Sequence, residues 1–190
     1  MEAERLTGRL ASVEWNTVPF QWFYATSVFT DEFYLEMVKR LPRIENYQRY
    51  GGPYKTRYLY KIKDNDVFWS GVKKLMEDFY GVSLRIQLCR DLPGYSIGPH
   101  TDSTREPATM LFYLAKDQTM QDHGTSIYLP KTRNFTSDGT VHHNRSDFDL
   151  HYTAPYVPNS VFGFVRSDNS FHGVEPTTAE RDVLQVTVRG

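Results

Sequence analysis

Pro99-His100-Thr101-Asp102 puts an imidazole and a carboxylate two positions apart, and His172 follows seventy residues on in Asn169-Ser170-Phe171-His172-Gly173-Val174. Two imidazoles and one carboxylate on one face of an octahedron leave three positions open, the donor set of non-haem Fe(II) oxygenases. A lone His-x-Asp is a weak signal, since a histidine ending a strand beside a turn aspartate gives the same pattern. The fourth residue adds weight. Arg181 lies nine positions beyond His172 and opens the last strand, an offset that in antiparallel neighbours brings a guanidinium back toward the metal cavity. A guanidinium there is a fork for a carboxylate. Iron with open positions facing an inward arginine suits 2-oxoglutarate, with its keto-acid end on the metal and its far carboxylate on the arginine.

These residues need a β-rich frame. After Gly81 come short runs rich in β-branched and aromatic residues: Ser83–Cys89, Tyr95–Pro99, Thr109–Leu114, Ser126–Leu129, Ser160–Val165, Ser170–Val174 and Val183–Val188. Gly, Pro, Asn and Asp punctuate them, which reads as an antiparallel sandwich or jelly roll. His100 falls where one run meets a loop, and His172 falls within another. Before Gly81 the chain mixes strand and helix. Pro19–Ala25 and Tyr54–Ile62 read as strands. A helix capped by Thr30 runs to about Leu41, with Phe33, Leu35, Met37, Val38 and Leu41 as its apolar stripe. A second runs from Asn65 to Tyr80, with Val67, Phe68, Val72, Leu75, Met76 and Phe79 inward. The fold class is therefore α+β and mainly β. We expect one domain over 1–190, with helical support at about 1–81 and a β core at about 82–190. Lys131–Ala154 is long, polar and weakly patterned, and reads as a lid over the substrate. His142, His143 and His151, with Asp147 and Asp149, read as a solvated part of that lid rather than a second metal site.

The sequence resembles the Fe(II)/2-oxoglutarate-dependent dioxygenases, near the prolyl-hydroxylase-like branch. The resemblance covers Arg90 to Gly190 and is looser before it. It is carried by Pro93 through Asp102, Thr109 through Leu114, His123 through Leu129, and Pro158 through Arg181. It implies a double-stranded β-helix, with Fe(II) on His100, Asp102 and His172, the distal carboxylate of 2-oxoglutarate on Arg181, and Tyr113 sharing that carboxylate, with Phe112 as its rival. O2 is the further co-substrate and ascorbate the expected reductant. The implied reaction hydroxylates a C–H bond and releases succinate and CO2. Halogenating relatives lack the carboxylate ligand, so Asp102 implies hydroxylation rather than chlorination. The sequence departs from the pattern at Val183, where many relatives carry Ser or Thr, and at His123-Gly124-Thr125, which has one glycine where two are usual.

Composition narrows the substrate. Of 190 residues 22 are Lys or Arg and 23 are Asp or Glu, a net charge of −1, so no basic footprint for nucleic acid stands out. No apolar run reaches membrane-span length, and Met1-Glu2-Ala3-Glu4-Arg5 does not read as a signal peptide, so the expected compartment is cytoplasmic. Cys89 is the only cysteine and reads as a small buried hydrophobe. The expected substrate is a small molecule or amino-acid-like compound, with Arg90, Tyr95 and Arg166 as candidates to bind it, against surface charge or ion pairing as the plainer use of the two arginines. A peptidyl side chain, as in prolyl hydroxylation, is the alternative. From other classes come a non-catalytic jelly-roll binding module and a non-redox cupin-type metalloenzyme. The oligomeric state is not readable from the chain.

Overall fold

The computed structural model describes residues 2–50, 56–139 and 141–190. Three helices occur among them: α1 (Glu2–Ala11), α2 (Asp31–Lys39) and α3 (Val67–Tyr80). The Thr30 side chain caps α2 by accepting from the Phe33 amide, with Asp31 and Glu32 in the first turn and Lys39 in the last. Asp66 caps α3 at the Trp69 amide, two residues later than Asn65 would place the start. Gly81 closes α3 at φ 63, a left-handed position that suits glycine. Two stripe residues expected inside are on the surface, Leu35 at 64% exposure and Val67 at 87%. Tyr34, Met37, Trp69, Val72 and Met76 are the buried ones.

α1 was not anticipated. Its one buried residue is Leu6, so its apolar stripe is thin. Leu6 and Leu10 pack on the main core, and distant polar partners add to this. Arg5 and Arg9 donate to the carbonyls of Ser27 and Thr26, and the Glu2 carboxylate accepts from the amide and hydroxyl of Thr30.

The strands are β1 (Trp22–Thr26), β2 (Gln48–Arg49), β3 (Arg57–Lys61), β4 (Leu84–Asp91), β5 (Ile97–His100), β6 (Ala108–Tyr113), β7 (Ser126–Pro130), β8 (Phe148–Thr153), β9 (Ser160–Val165), β10 (His172–Val174) and β11 (Arg181–Val188). Of the expected strand at 54–62, residues 54 and 55 lie outside the described residues. Among the described residues the strands form two antiparallel sheets. One has seven strands in the order β1-β9-β6-β11-β4-β3-β2; the other has four in the order β5-β10-β7-β8. This is a double-stranded β-helix with helices against its larger sheet.

Period-two alternation sorts the larger sheet into two faces. Ile86, Leu88, Met110, Phe112, Leu184 and Val186 pack with the helices. Cys89, Tyr113, Phe162, Phe164 and Val183 face the smaller sheet and meet Ile127 from it. The stretch read as one lid from Lys131 to Ala154 divides. Residues 148–153 are β8, an edge strand paired with β7. One face of β8 meets water, and Asp149 and His151 there hid its strand character. Residues 131–139 and 141–147 form a strap across the site instead.

Candidate active site

β10 and β5 run antiparallel, and their register sets His172 directly opposite His100. Asp102 follows two residues after β5 ends. The three side chains each offer a ligand atom within 4.8 Å of the others, and no other group of three such residues occurs among the described residues. Asp102 Oδ1 lies 3.5 Å from His172 Nε2 and 4.0 Å from His100 Nε2. His100 Nδ1 is 2.9 Å from the Gly98 carbonyl, and His172 Nδ1 is 3.0 Å from the Ser170 carbonyl. Carbonyls only accept, so both Nδ1 atoms carry the proton and both Nε2 lone pairs face inward. Burial, then the neighbouring His172 and His142 rings, holds the His100 pKa well below its ordinary value, which keeps the imidazole neutral. The donors suit a divalent transition metal held on one face, with open positions opposite.

Supports surround the three. Thr109 Oγ1 donates to Asp102 Oδ2 at 2.7 Å. Arg166 Nε donates to the Asp102 carbonyl at 3.1 Å, Arg166 Nη2 to the Ser137 carbonyl at 3.3 Å, and Arg166 Nη1 pairs with Asp168. Thr101 Oγ1 donates to the Ser137 carbonyl, and the His143 amide donates to the Pro99 carbonyl. The strap is thus stitched to the His-x-Asp turn on both sides. His142 lies flat on His100, with ring centroids 4.4 Å apart and planes at 9°.

A small cavity opens from the metal ligands toward Arg181, with Ile97, Leu111, Val174 and Val183 between. Arg181 is buried. Its Nη1 donates to Asp91 Oδ2 at 2.8 Å, its Nη2 reaches Thr125 Oγ1 at 3.4 Å, and its Nε is buried without a partner. An orphaned donor of this kind calls for an anionic acceptor from the cavity. The far carboxylate of a 2-oxo diacid fits it, with the keto-acid end at the metal ligands. A larger, more polar chamber adjoins the first beside His100, Asp102 and Arg57, and extends to Arg85, Glu106 and His142.

The remaining candidates separate. Tyr95 is buried and lines the cavity. Tyr113 lies beside Arg181, its ring centroid 5.4 Å from the guanidinium, but its hydroxyl accepts from the Thr125 amide at 2.8 Å and it does not line the cavity. Phe112 faces the helices, so it is no rival for that position. Arg90 is a correction. It points to the helix side of β4, is bidentate to Asp182 at 2.7 and 3.1 Å, and does not reach the cavity. Arg166 lies outside the cavity and acts on the Asp102 backbone. Cys89 lines the cavity with its thiol pushed up to about 11 by burial and bonded to Gln185 Oε1, so it stays protonated. Sequence reasoning missed Arg57 and Asp91, which both line up with Arg181. Counting by two from inward Cys89 reaches Asp91, but Arg57 is found only through three-strand register.

No protein-family model matches the sequence, and no curated protein matches it. Solved structures do. A prolyl hydroxylase from Trichoplax adhaerens, in complex with a hypoxia inducible factor oxygen degradation domain peptide fragment, is 10% identical at a TM-score of 0.65, covering 98% of this chain and 88% of its own. A 2-oxoglutarate-Fe(II) oxygenase family oxidoreductase from Burkholderia pseudomallei is 14% identical at a TM-score of 0.54, covering 98% and 89%. HygX from Streptomyces hygroscopicus, solved with nickel, 2-oxoglutarate and hygromycin B bound, is 11% identical at a TM-score of 0.56, covering 87% and 81%. The chain has the fold of these oxygenases, and at such identities the likeness is one of fold.

Proposed function

We propose that this protein is an Fe(II)- and 2-oxoglutarate-dependent oxygenase that hydroxylates a C–H bond of a small, polar or amino-acid-like substrate. One observation carries the reading: His100, Asp102 and His172 converge at one end of a cavity whose other end presents the unpartnered Nε of buried Arg181. Bound iron with 2-oxoglutarate and dioxygen supplies oxidative decarboxylation to succinate and CO2, which drives the hydroxylation. The chain's own residues do the rest. His100 and His172 turn their Nε2 atoms inward with each Nδ1 held on a carbonyl, and Thr109 fixes the Asp102 carboxylate. Arg181 anchors the distal carboxylate, with Leu111, Val174 and Val183 among the walls that flank the space between. Asp102 fills the position a halide would need, which favours hydroxylation over chlorination. The outer chamber, bordered by the strap at Gly139 and His142, receives the substrate, and its polar lining of Arg57, Arg85, Gln87 and Glu106 favours a small polar molecule. The peptide held by the Trichoplax neighbour supports a peptidyl side chain as the second reading.

The test is succinate release. Wild-type protein with Fe(II), 2-oxoglutarate, O2 and ascorbate is expected to form succinate slowly without substrate, and faster with a matching amino acid, small metabolite or prolyl peptide. His172→Ala is expected to form none. Arg181→Ala is expected to raise the KM for 2-oxoglutarate by about ten- to a hundredfold while leaving iron binding intact, since it removes a charge-assisted pair from a desolvated site. Wild type that makes no succinate at any iron concentration is a binding module or a non-redox metalloprotein, and the reading fails.

A further inference from the structure

We propose that Arg57 and Asp91 form a built-in charge-balancing pair for the pocket end that takes the distal carboxylate of the co-substrate: Asp91 aims Arg181, and Arg57 cancels the charge Asp91 brings. The inference rests on the proposed function and deepens it at that one site.

Register puts the three residues in a single row across β3, β4 and β11, with Arg57 and Arg181 each directly opposite Asp91. Cross-strand neighbours on one face are the closest side chains a sheet offers. The Asp91 carboxylate is fully buried and accepts three bonds: from Arg57 Nε at 2.6 Å, Arg57 Nη2 at 2.9 Å and Arg181 Nη1 at 2.8 Å. The two guanidiniums are used differently. Arg57 commits its Nε–Nη2 edge to Asp91, and its plane lies over the Tyr95 ring. Arg181 gives Asp91 only Nη1. Its own Nε–Nη2 edge stays open, with no partner on Nε and a long contact from Nη2 to Thr125. That is the edge a second carboxylate takes bidentately.

Asp91 holds this edge in place through its bond to Nη1, with the Tyr113 ring beside the guanidinium; Val183, across from Tyr113, has no hydroxyl to add. A buried carboxylate against Arg181 has an electrostatic cost, because alone it would neutralise the cation and repel an incoming anion. Arg57 removes that cost. Two guanidiniums and one carboxylate leave one positive charge in the row, and one ligand carboxylate closes it. Burial, the largest single effect, opposes the charge on both arginines, and Asp91 together with the neighbouring tyrosines more than offsets it, so both stay cationic. Arg57 is therefore a positioning residue whose charge sets the sign of the site.

The experiment is isothermal titration of Fe(II)-loaded protein under argon with 2-oxoglutarate and with 2-oxopentanoate, whose far end is a methyl group. Arg57→Gln takes the row to zero net charge. Its Kd for 2-oxoglutarate is expected to rise about tenfold or more while that for 2-oxopentanoate stays within about twofold. The double variant Arg57→Gln/Asp91→Asn restores one positive charge, and its 2-oxoglutarate Kd is expected to return to within about threefold of wild type. If Arg57 only braces the fold, the single variant weakens both ligands and the double variant is weaker still; either result overturns the proposal. An unchanged Kd for 2-oxoglutarate in Arg57→Gln overturns it and leaves the proposed function standing. Wild type with no affinity for 2-oxoglutarate overturns both.

Discussion

His100 shows how neighbours prepare a ligand before any ion arrives. It is packed between His142 and His172, with both ring centroids 4.4 Å away, and its Nδ1 is fixed on a carbonyl. A folded-state pKa held far below the ordinary 6.5 has a direct consequence for stability. As pH falls through that value the unfolded chain gains a proton that folded His100 refuses, so its support for folding is complete above 6.5 and lost on acidification. The melting temperature of metal-free protein is expected to fall between about pH 7.5 and about pH 5.5, and metal-free His100→Gln is expected to fall less steeply. A wild-type profile flat across that window would contradict the buried neutral imidazole. The metal-ligand candidates were readable from type and spacing because the chemistry demands those types. Arg181 was placed inward from its position opening the last strand nine residues past His172, and it is buried against Asp91 there. Arg90 was misassigned by one position's parity: the inward residue at that end of β4 is Asp91, and its partner Arg57 comes from a strand thirty-four residues earlier.

Register makes the site, because β5 and β10 bring His100 and His172 opposite each other while β3, β4 and β11 line up the arginine row. The junction of β7 and β8 fixes the far wall. There the Thr125 carbonyl accepts from the Ala154 amide, and the Thr125 amide donates to Tyr113. Gly124 is required beside it, since a Cβ would stand 1.6 Å from the Ala154 carbonyl oxygen. Gly124→Ala is expected to destabilise the protein by about 3 kcal/mol in urea unfolding, because backbone has to move. Gly71→Ala is the control with opposite sign. Position 71 is inside α3 with nothing within 4 Å of the added methyl, so it is expected to gain up to about 1 kcal/mol from helix propensity. Most strands were found within a few residues of their ends because alternation and Gly/Pro punctuation mark them. β8 and α1 were not: β8 alternates weakly at a sheet edge, and α1 has few apolar residues, Leu6 and Leu10 packing on the core while Arg5 and Arg9 bond to Ser27 and Thr26.

The molecule is layered, with helices on one face of the large sheet and the small sheet on the other, and the cavity lies between the sheets. That arrangement was readable in outline because helix signals precede Gly81 and strand signals dominate after it. The chambers were not, since a cavity is the space several elements leave between them and has no residue pattern of its own. The strap crosses the outer chamber with its backbone against the metal-ligand turn. At Gly139, φ 88, a methyl group would meet the Asp102 carbonyl oxygen at 2.1 Å. A stitch pulls both ways. Whatever steadies Asp102 also steadies the segment sewn to it, so loading the ion is expected to slow tryptic cutting after exposed Lys131 and Arg133 severalfold relative to chelator-treated protein, read by mass spectrometry of the first fragments. Equal cleavage rates would mean that the seam carries no strain between centre and rim. With the seam intact, the surface of this protein reports whether its heart is filled, and a protease can read that state without any turnover.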